Sequence, residues 1–477
     1  MVPAFATLQV QNDHFRARSR VLYFPSKWKI KINNNKEENC MKKLVSLALA
    51  LIMVLALAGT ALAYSPEAPI KILFWHTRGA GAQQETVDYQ IAQFNATVGK
   101  EKGIEVKGAF IGGYAEIMTK MQLASQSGDQ PVVAVLGNTR LSIMVDDGII
   151  EDMMPYAKRD GFNLDNFFTS MINVPGNDEE QLHSLPYIKS TPVLYYNKTM
   201  ADAKGLTAPT GVEEFEAFAK ALHEVDANGE VKVWGFECVN DFTYYQGAFL
   251  WQIDKPLWTA EGKSPALAED GMLRILSDWR RWVDEGWCRP FDSTNASGTM
   301  TDLFYQGKLG CFWASCASMA NVTKFSKEAG FELGVANLAQ YNLDNKVVPI
   351  GGGNIGLMKT FNTEEQLNAG WEFIKFLFTD EMVAYNAINS GYLPTTKSVA
   401  DSEAMKAFWA ENPNWKLPYD QVDWGIEQAY PYFEGNSELK TNIQGAVSLL
   451  IQERSITAEE AVEQIKRDNE HLFENGF

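Results

Sequence analysis

Side chains that could carry out catalysis are sparse and scattered in this sequence. The histidines beyond residue 63 are His76, His183, His223 and His471. None of them belongs to an H-E-x-x-H zinc motif, and no G-x-S-x-G nucleophile elbow occurs. The three glycines at 351–353 lack the continuation that a phosphate-binding loop requires. Acidic pairs at 146–147 and 151–152 are typical of a solvated surface rather than of paired catalytic carboxylates. We therefore predict a protein without catalytic activity, metal ion or cofactor.

Aromatic and small polar residues, by contrast, recur beside predicted turns and strand ends. Aromatic rings stack on the C–H faces of sugars, while Asp, Asn and Ser side chains hydrogen-bond sugar hydroxyl groups. The residues in such positions are Trp75, Tyr114, Asn138, Asp241, Tyr244, Trp313, Ser315, Gly352, Gly353, Asn354 and Tyr392. Packing in a core is the alternative role for any single ring. The recurrence at several loops is what favours a ligand site.

The spacing of apolar residues predicts an α/β domain directly after residue 68. The predicted order is strand 69–75, a helix around 87–94, strand 104–110, helix 114–127 and strand 131–136. The last segment is a continuous apolar run, which is typical of a strand buried on both faces. Alternating strands and helices imply a parallel sheet with crossover helices.

A second set of elements occupies residues 193–473. The predicted strands are 193–196, 231–236, 331–335 and 347–350, and the predicted helices are 211–224, 269–285, 371–378 and 456–473. In helix 269–285 the large apolar residues, including Trp279 and Trp282, fall on one face and are expected in a core. Thr457 and Glu460 form a capping box. No linker or repeat separates the two sets, which indicates a rigid pair of domains joined by several chain crossings.

The overall composition excludes two classes of partner. The chain has 477 residues, 42 Lys+Arg and 60 Asp+Glu, for a net charge of −18. Such acidity disfavours binding to nucleic acid or to anionic lipid. An apolar fraction of 46% is too high for a disordered chain. The length supports two substantial cores.

The first 63 residues read as segments that precede the folded protein. A basic head at 41–43, an apolar run at 44–58 and the small residues at 61–63 are typical of a secretory signal peptide. Fifteen apolar residues are too few to span a membrane. No cysteine follows Gly59, so a lipid anchor is not expected, and the mature protein should be periplasmic or extracellular. Residues 1–40 are either an untranslated leader read as protein, with translation starting at Met41, or a disordered extension.

Cleavage before Tyr64 would leave 414 residues with 33 Lys+Arg and 57 Asp+Glu, a net charge of −24. Four cysteines remain, Cys238, Cys288, Cys311 and Cys316. Their spacing does not suggest a metal site. Free buried thiols and one disulfide both stay open for an exported protein.

Several segments carry a resemblance to a known family. Residues 190–198, STPVLYYNK, resemble the strand that crosses between domains in family 1 extracellular solute-binding proteins of ABC importers. Residues 350–358, an amphipathic helix and residues 390–395 recur in the same order in that family. Residues 304–308, followed by small residues around Ser315, are also similar. The resemblance covers residues 69–473.

This resemblance implies a periplasmic-binding-protein fold of type II, with two α/β lobes that close over a ligand. Three hinge crossings are expected, near Ser190, Ile350 and Tyr392. Lobe one would comprise 64–190 and 350–390, and lobe two 191–349 and 391–477. Ser190 would lie at the cleft floor. The implied partners are a small carbohydrate-like ligand and membrane permease subunits, with the receptor itself a monomer.

The charge of the ligand is the point on which the sequence departs from part of the family. The chain is similar to glycerol-3-phosphate-binding members, yet the C-terminal loop at 430–436 has an acid and no base; Tyr432 in this loop is a further candidate ligand contact. Since phosphate favours Arg, Lys or helix N-termini, we expect a neutral sugar, oligosaccharide or polyol. Arg78 could still hold an anion, so a glycerol-3-phosphate or glycerophosphodiester receptor is the alternative. A secreted glycan-processing enzyme is the remoter one.

Overall fold

The computed structural model describes residues 69–127, 130–137, 141–174, 176–255, 269–291, 296–427 and 436–474. The stretch Ala63–Phe477 forms one compact unit. The leader and signal segments at 1–63 lie outside the described residues. Of the predicted ligand residues, Asn138 and Tyr432 also lie outside them.

Eleven strands in the described residues build two sheets. They are β1 (Ile70–His76), β2 (Ile104–Phe110), β3 (Val133–Gly137), β4 (Leu185–Ser190), β5 (Pro192–Asn197), β6 (Glu224–Val225), β7 (Val231–Glu237), β8 (Leu309–Ser315), β9 (Leu333–Asn337), β10 (Val348–Leu357) and β11 (Gly425–Glu427). The first sheet has the order β11-β10-β3-β1-β2, with β4 also paired to β10, and the second has the order β6-β7-β8-β5-β9. Each sheet has its own helices, so the predicted two-lobed α/β fold is confirmed.

Twenty helices accompany these strands in the described part of the chain. They are Gly81–Ala96, Val98–Lys102, Tyr114–Ser127, Leu141–Asp146, Met154–Asp160, Thr169–Ile172, Lys198–Ala203, Val212–Leu222, Gly247–Gln252, Glu269–Asp284, Ala296–Tyr305, Met319–Glu328, Glu364–Leu377, Asp380–Ser390, Lys397–Ala400, Glu403–Glu411, Pro413–Asp420, Asn436–Val447, Ala458–Asp468 and Glu470–Glu474. Short 3₁₀ turns lie at Leu164–Asn166, Cys316–Ser318 and Val422–Trp424, and a π turn at Ser448–Gln452. The capping box is present: the Thr457 amide donates to Glu460 Oε2 (2.8 Å) and the Glu460 amide donates to Thr457 Oγ1 (3.2 Å).

The strand directions differ in part from the predicted parallel sheet. β1 is parallel to both β2 and β3, as the alternation of strands and helices predicts. β10, the strand with which the chain returns to the first sheet from the second one, runs antiparallel to β3 and β4. In the second sheet only β7 and β8 are parallel, and β5 is antiparallel to both β8 and β9. The result is two mixed sheets.

Both faces of each sheet are covered. Along β5, Val193 and Tyr195 pack into one apolar core while Leu194 and Tyr196 pack into another, because successive side chains of a strand point to opposite faces. β3 divides in the same way, and all five of its residues are buried. The four cysteines from Cys238 to Cys316 are free and buried in the structure.

The chain passes between the sheets at identifiable points. β4 ends at Ser190 and β5 begins at Pro192, so a single residue links the first sheet to the second. The chain returns between β9 and β10. After the helix Asp380–Ser390, the core of the first sheet takes in Met405 and Trp409, whereas the helix Asn436–Val447 packs in the core of the second sheet. The lobe boundaries given above remain a prediction, and these contacts suggest that the third boundary lies beyond residue 409.

Candidate functional site

A cavity of about 770 Å³ opens between elements of the two sheets. Its lining includes Ser190 at the end of β4, Ser315 at the end of β8 and Pro349–Gly352 in β10. The start of the helix Tyr114–Ser127 and one face of the helix Asn436–Val447 complete the wall. A pocket of this size is within the range that holds a ligand of several rings. Strand ends from both sheets therefore meet at one polar site.

Seven of the predicted ligand residues line this cavity. They are Tyr114, Ser190, Asp241, Tyr244, Ser315, Gly352 and Tyr392. Since they come from sequence positions 278 residues apart at the extremes, only the fold brings them together. Their role in binding remains a prediction.

The hydroxyl of Tyr244 sits between two serines of the cavity. The Ser190 hydroxyl lies 3.3 Å from the Tyr244 hydroxyl, and the Ser315 side chain also hydrogen-bonds Tyr244. Ser315 pairs with Pro192 across β5 and β8, while Ser190 pairs with Gly351 across β4 and β10. Tyr244 thus joins the ends of strands from both sheets.

The glycines of β10 make room for tyrosine rings of the cavity. A Cβ on Gly351 would lie 2.6 Å from the Tyr244 ring, and one on Gly353 would lie 2.8 Å from the Tyr114 ring. Their sequence pattern predicts a turn, but they lie within a ten-residue strand whose pairing register with β4 shifts between Gly353 and Asn354. Their function is to admit aromatic side chains. Gly351 and Gly352 line the cavity, whereas Gly353 does not.

Four other predicted ligand residues are not part of the cavity wall, and their role in binding remains a prediction. Trp75 is 2% exposed and packs in the core on one face of the first sheet, where the Lys120 ammonium lies 4.7 Å from its ring centroid. Trp313 is fully buried, stacked on Phe215 at 4.9 Å. Gly353 and Asn354 are buried within β10. In each case burial against neighbouring apolar side chains, rather than a loop position, decides the environment.

One helix supplies cavity residues that the sequence analysis missed. Its polar residues Ser437, Lys440, Thr441 and Gln444 line the cavity. They recur at intervals of three and four, so they share one helix face, while Leu439, Ile443 and Ala446 on the opposite side pack in the core. This periodicity was the signal that could have found them. Gln83, Glu116, Thr243 and Ser318 also line the cavity.

The charged groups on the wall partly neutralise one another. Lys440 Nζ lies 3.0 Å from Asp241 Oδ1, and Thr243 Oγ1 donates to the same oxygen at 3.1 Å. The ammonium that enters the cavity is therefore paired with the carboxylate that was expected to contact the ligand. Glu116 lies in the first turn of the helix Tyr114–Ser127, where the helix dipole favours a negative charge.

Burial keeps the tyrosines of the cavity neutral. It raises the pKa of Tyr114, Tyr244 and Tyr392 above the ordinary value of a phenol. The side chain of Thr77 hydrogen-bonds Tyr114. At neutral pH each phenol can donate a hydrogen bond through its hydroxyl and offer its ring face for stacking, a combination that suits polyhydroxylated ligands.

The described residues contain no cluster of three or more His, Cys, Asp or Glu that could hold a metal ion. No helix in the described ranges has the length and apolarity required to cross a membrane. Two α/β lobes with a polar cavity between them define the general class of a solute-binding protein.

The chain belongs to the bacterial extracellular solute-binding protein family, whose model matches residues 90–416. It is 25% identical to the sn-glycerol-3-phosphate-binding periplasmic protein of Escherichia coli K12 over 389 residues, which cover 78% of this chain and 84% of that protein.

Solved structures show the same fold. UgpB from Mycobacterium tuberculosis, in complex with glycerophosphocholine, superposes with a TM-score of 0.72 at 20% identity, covering 86% of this chain and 99% of that one. MalE from Bdellovibrio bacteriovorus, bound to maltotriose, gives 0.69 at 17% identity, covering 84% and 99%. The predicted family and fold class are thereby confirmed.

Proposed function

We propose that this protein is the extracytoplasmic receptor of an ABC importer and captures a carbohydrate-like solute in the cavity between its lobes. The observation that carries the proposal is the convergence of buried tyrosines with hydroxyl and amide groups from both sheets on one cavity. Tyrosine faces stack on sugar rings, and hydroxyl and amide groups exchange hydrogen bonds with sugar hydroxyls. The ligand would be passed to membrane permease subunits, and no catalytic step is involved.

The first candidate ligand is a neutral sugar, oligosaccharide or polyol. In the described part of the lining the charged side chains are Glu116, Asp241 and Lys440, and the last two pair with each other. The remaining wall is uncharged. Solved relatives of the same fold bind maltotriose and other maltodextrins, which supports this candidate.

In this proposal Tyr114, Tyr244 and Tyr392 stack on or bond the ligand, and Ser190 and Ser315 hydrogen-bond it. Tyr244 holds the two serines in place from the second lobe. The lobes would move about the chain crossing at Thr191 and the two other predicted crossings, as in hinged domain closure.

The second candidate is a glycerol-3-phosphate-type ligand. Curated relatives that match this chain are named for binding glycerol 3-phosphate, and one solved relative holds glycerophosphocholine. The observation in this chain that favours it is a buried arginine, Arg78, close to the cavity.

The cellular setting is part of the same proposal. Residues 41–63 would be removed on export, leaving a soluble receptor that starts at Tyr64 and acts outside the cytoplasm. N-terminal sequencing of the protein from its native producer tests this: a start at Tyr64 supports it, and a peptide from residues 1–40 contradicts the leader interpretation.

A thermal-shift screen tests the receptor function. A ligand at 100 times its Kd stabilises the folded state by about 2.7 kcal/mol, so a bound solute raises Tm. The panel is glucose, maltose, maltotriose, glycerol and glycerol 3-phosphate. Tyr392→Ala should abolish the shift of any active compound, whereas Tyr385→Ala, which removes a half-buried ring stacked on Tyr89 outside the cavity, should retain it. Turnover of a glycan substrate by the purified protein would overturn the receptor proposal.

A further inference from the structure

Arg78 is an unusual charge in this molecule. It follows β1 by two residues, its exposed fraction is 0%, and it is among the largest fully buried side chains of the protein. Buried arginines in proteins are almost always paired with a carboxylate or fully hydrogen-bonded, because an isolated charge is costly to remove from water.

The guanidinium of Arg78 has neither kind of partner. Within the described residues, Nε, Nη1 and Nη2 are all buried without a hydrogen bond. Two aromatic faces flank it instead: the guanidinium carbon lies 4.8 Å from the ring centroid of Tyr187 and 5.1 Å from that of Tyr392. Such cation–π contacts offset only part of the cost of burying a charge. The positive charge at this place is therefore incompletely compensated.

This charge stands directly behind the wall of the cavity. Tyr392, one of the two rings in contact with the guanidinium, lines the cavity. Tyr114 lines the same cavity and hydrogen-bonds Thr77, the residue before Arg78. A charge in a medium of low polarity acts over several ångströms, so the cavity side of these two rings lies in its field.

A second feature gives the same wall the same sign. Ala317 and Ser318 line the cavity and directly precede the ten-residue helix Met319–Glu328, whose N-terminus carries a partial positive charge. The side-chain amide of Gln83, in the first turn of the helix that follows Arg78, donates to the Ala317 carbonyl at 2.9 Å, so the chain just after Arg78 lies against this helix start. Two independent sources of positive potential thus act on one part of the cavity.

We propose that this wall is an anion subsite, and that the solute is a polyol or sugar carrying an acidic group whose charge Arg78 balances. The phenol hydroxyls of Tyr114 and Tyr392 contact the acidic group, and the guanidinium behind them supplies the charge. Arg78 is then a specificity residue that acts through its two tyrosines. The inference rests on the receptor function and selects the acidic candidate; phosphate and carboxylate are the two sources of such a charge.

Matched pairs of ligands test this by calorimetry: glycerol against glycerol 3-phosphate, glucose against glucose 6-phosphate, and glucose against glucuronate. The wild-type protein should bind the acidic member of at least one pair ten times more tightly or better. Arg78→Met should reduce that preference to below threefold, and Arg78→Lys should keep most of it. Lys406→Met removes an exposed, paired charge and should leave the preference unchanged. The phosphate and carboxylate pairs show which acidic group is preferred.

The unliganded variants separate recognition from a structural role. If only a bound ligand compensates the charge of Arg78, the unliganded Arg78→Met variant should melt at the wild-type temperature or above, because an uncompensated buried charge has been removed. A lower Tm with an unchanged preference would overturn the proposal and make Arg78 a packing residue. Equal affinity for neutral and acidic members would overturn it and leave the receptor function intact. Binding of no polyol or sugar at all would overturn the receptor function as well.

Discussion

His76, the last residue of β1, should make the stability of this protein depend on pH. The residue is 4% exposed, its ring is tilted against that of Phe74 with centroids 5.5 Å apart, and a Cβ on Gly108 would lie 3.2 Å from its Nε2. Burial and the neighbouring charge of Arg78 lower the pKa of His76 from 6.5 to about 4, while Asp88 acts in the opposite direction. The folded protein thus holds this imidazole neutral at a pH where the unfolded chain protonates it.

The direction of the effect follows from proton linkage. Between pH 6.5 and pH 4 the unfolded state binds a proton that the native state does not bind, so the free energy of unfolding falls as the pH falls. A difference between a pKa of 6.5 and one of about 4 corresponds to about 3 kcal/mol. Even buried sites respond with a higher effective polarity than a dry interior, so we expect about 2 kcal/mol, most of it lost by pH 4.5.

Urea denaturation of the wild type and of His76→Gln at intervals from pH 7.5 to pH 4 measures this contribution. The difference between the two free energies of unfolding should change by about 2 kcal/mol across the range. His471→Gln, which removes an exposed histidine, serves as the matched control and should follow the wild type. Parallel curves for wild type and His76→Gln, or an NMR titration that places the pKa of His76 near 6.5, would refute the reasoning.

Four further predictions concern the core, the strand through the cavity, the ion pair on the wall and the thiols. Trp313→Ala should lower the free energy of unfolding by about 3–5 kcal/mol in urea denaturation, since it empties a core site, and a cost below 1 kcal/mol would contradict that placement. Gly352→Ala should destabilise the protein strongly in the same assay, because φ is +100° and a Cβ would lie 1.9 Å from the Ile188 carbonyl oxygen; an unchanged Tm would contradict the strand register. A double-mutant cycle on Asp241 and Lys440 should give a coupling of about 0.2–1 kcal/mol, because both side chains are still about one-third exposed to solvent, and a value above 2 kcal/mol would contradict this exposure. The four thiols should react with a disulfide reagent only after unfolding in guanidinium, and fast reaction of any of them in the native protein would contradict their burial.

Elements with a strong apolar period were predictable from the sequence. The helix predicted at 269–285 is observed at Glu269–Asp284, with Trp279 and Trp282 buried as expected. The strand at 104–110 and the helix at 114–127 are observed with the predicted bounds. In these segments local periodicity and tertiary packing favour the same structure, and agreement between the two levels makes such predictions succeed.

The site was less predictable because the environment of its residues is set by neighbours that are distant in the sequence. Gly351 and Gly353 resemble turn residues, yet they lie in the strand β10. These strand positions are glycine because the rings of Tyr244 and Tyr114 occupy the space that a side chain would fill. Trp313 and Ser315 are two residues apart on one strand, but only Ser315 reaches the cavity, because β8 ends there. Local sequence does not encode which end of a strand another lobe will face.

The charge of the cavity wall was the property of the site that the sequence predicted least well. Counting bases in the C-terminal loop left out the helix face that brings Lys440 to the cavity. Arg78 was named as a possible anion partner, but its burial behind Tyr392 could not be predicted from the sequence. An excess of acidic residues over the chain as a whole does not fix the sign of the potential inside a cavity. Surface charges are screened by salt within about 10 Å, whereas a buried guanidinium acts through a medium of low polarity at short range. An acidic surface is therefore compatible, in one protein, with the proposed positive wall beside Tyr392.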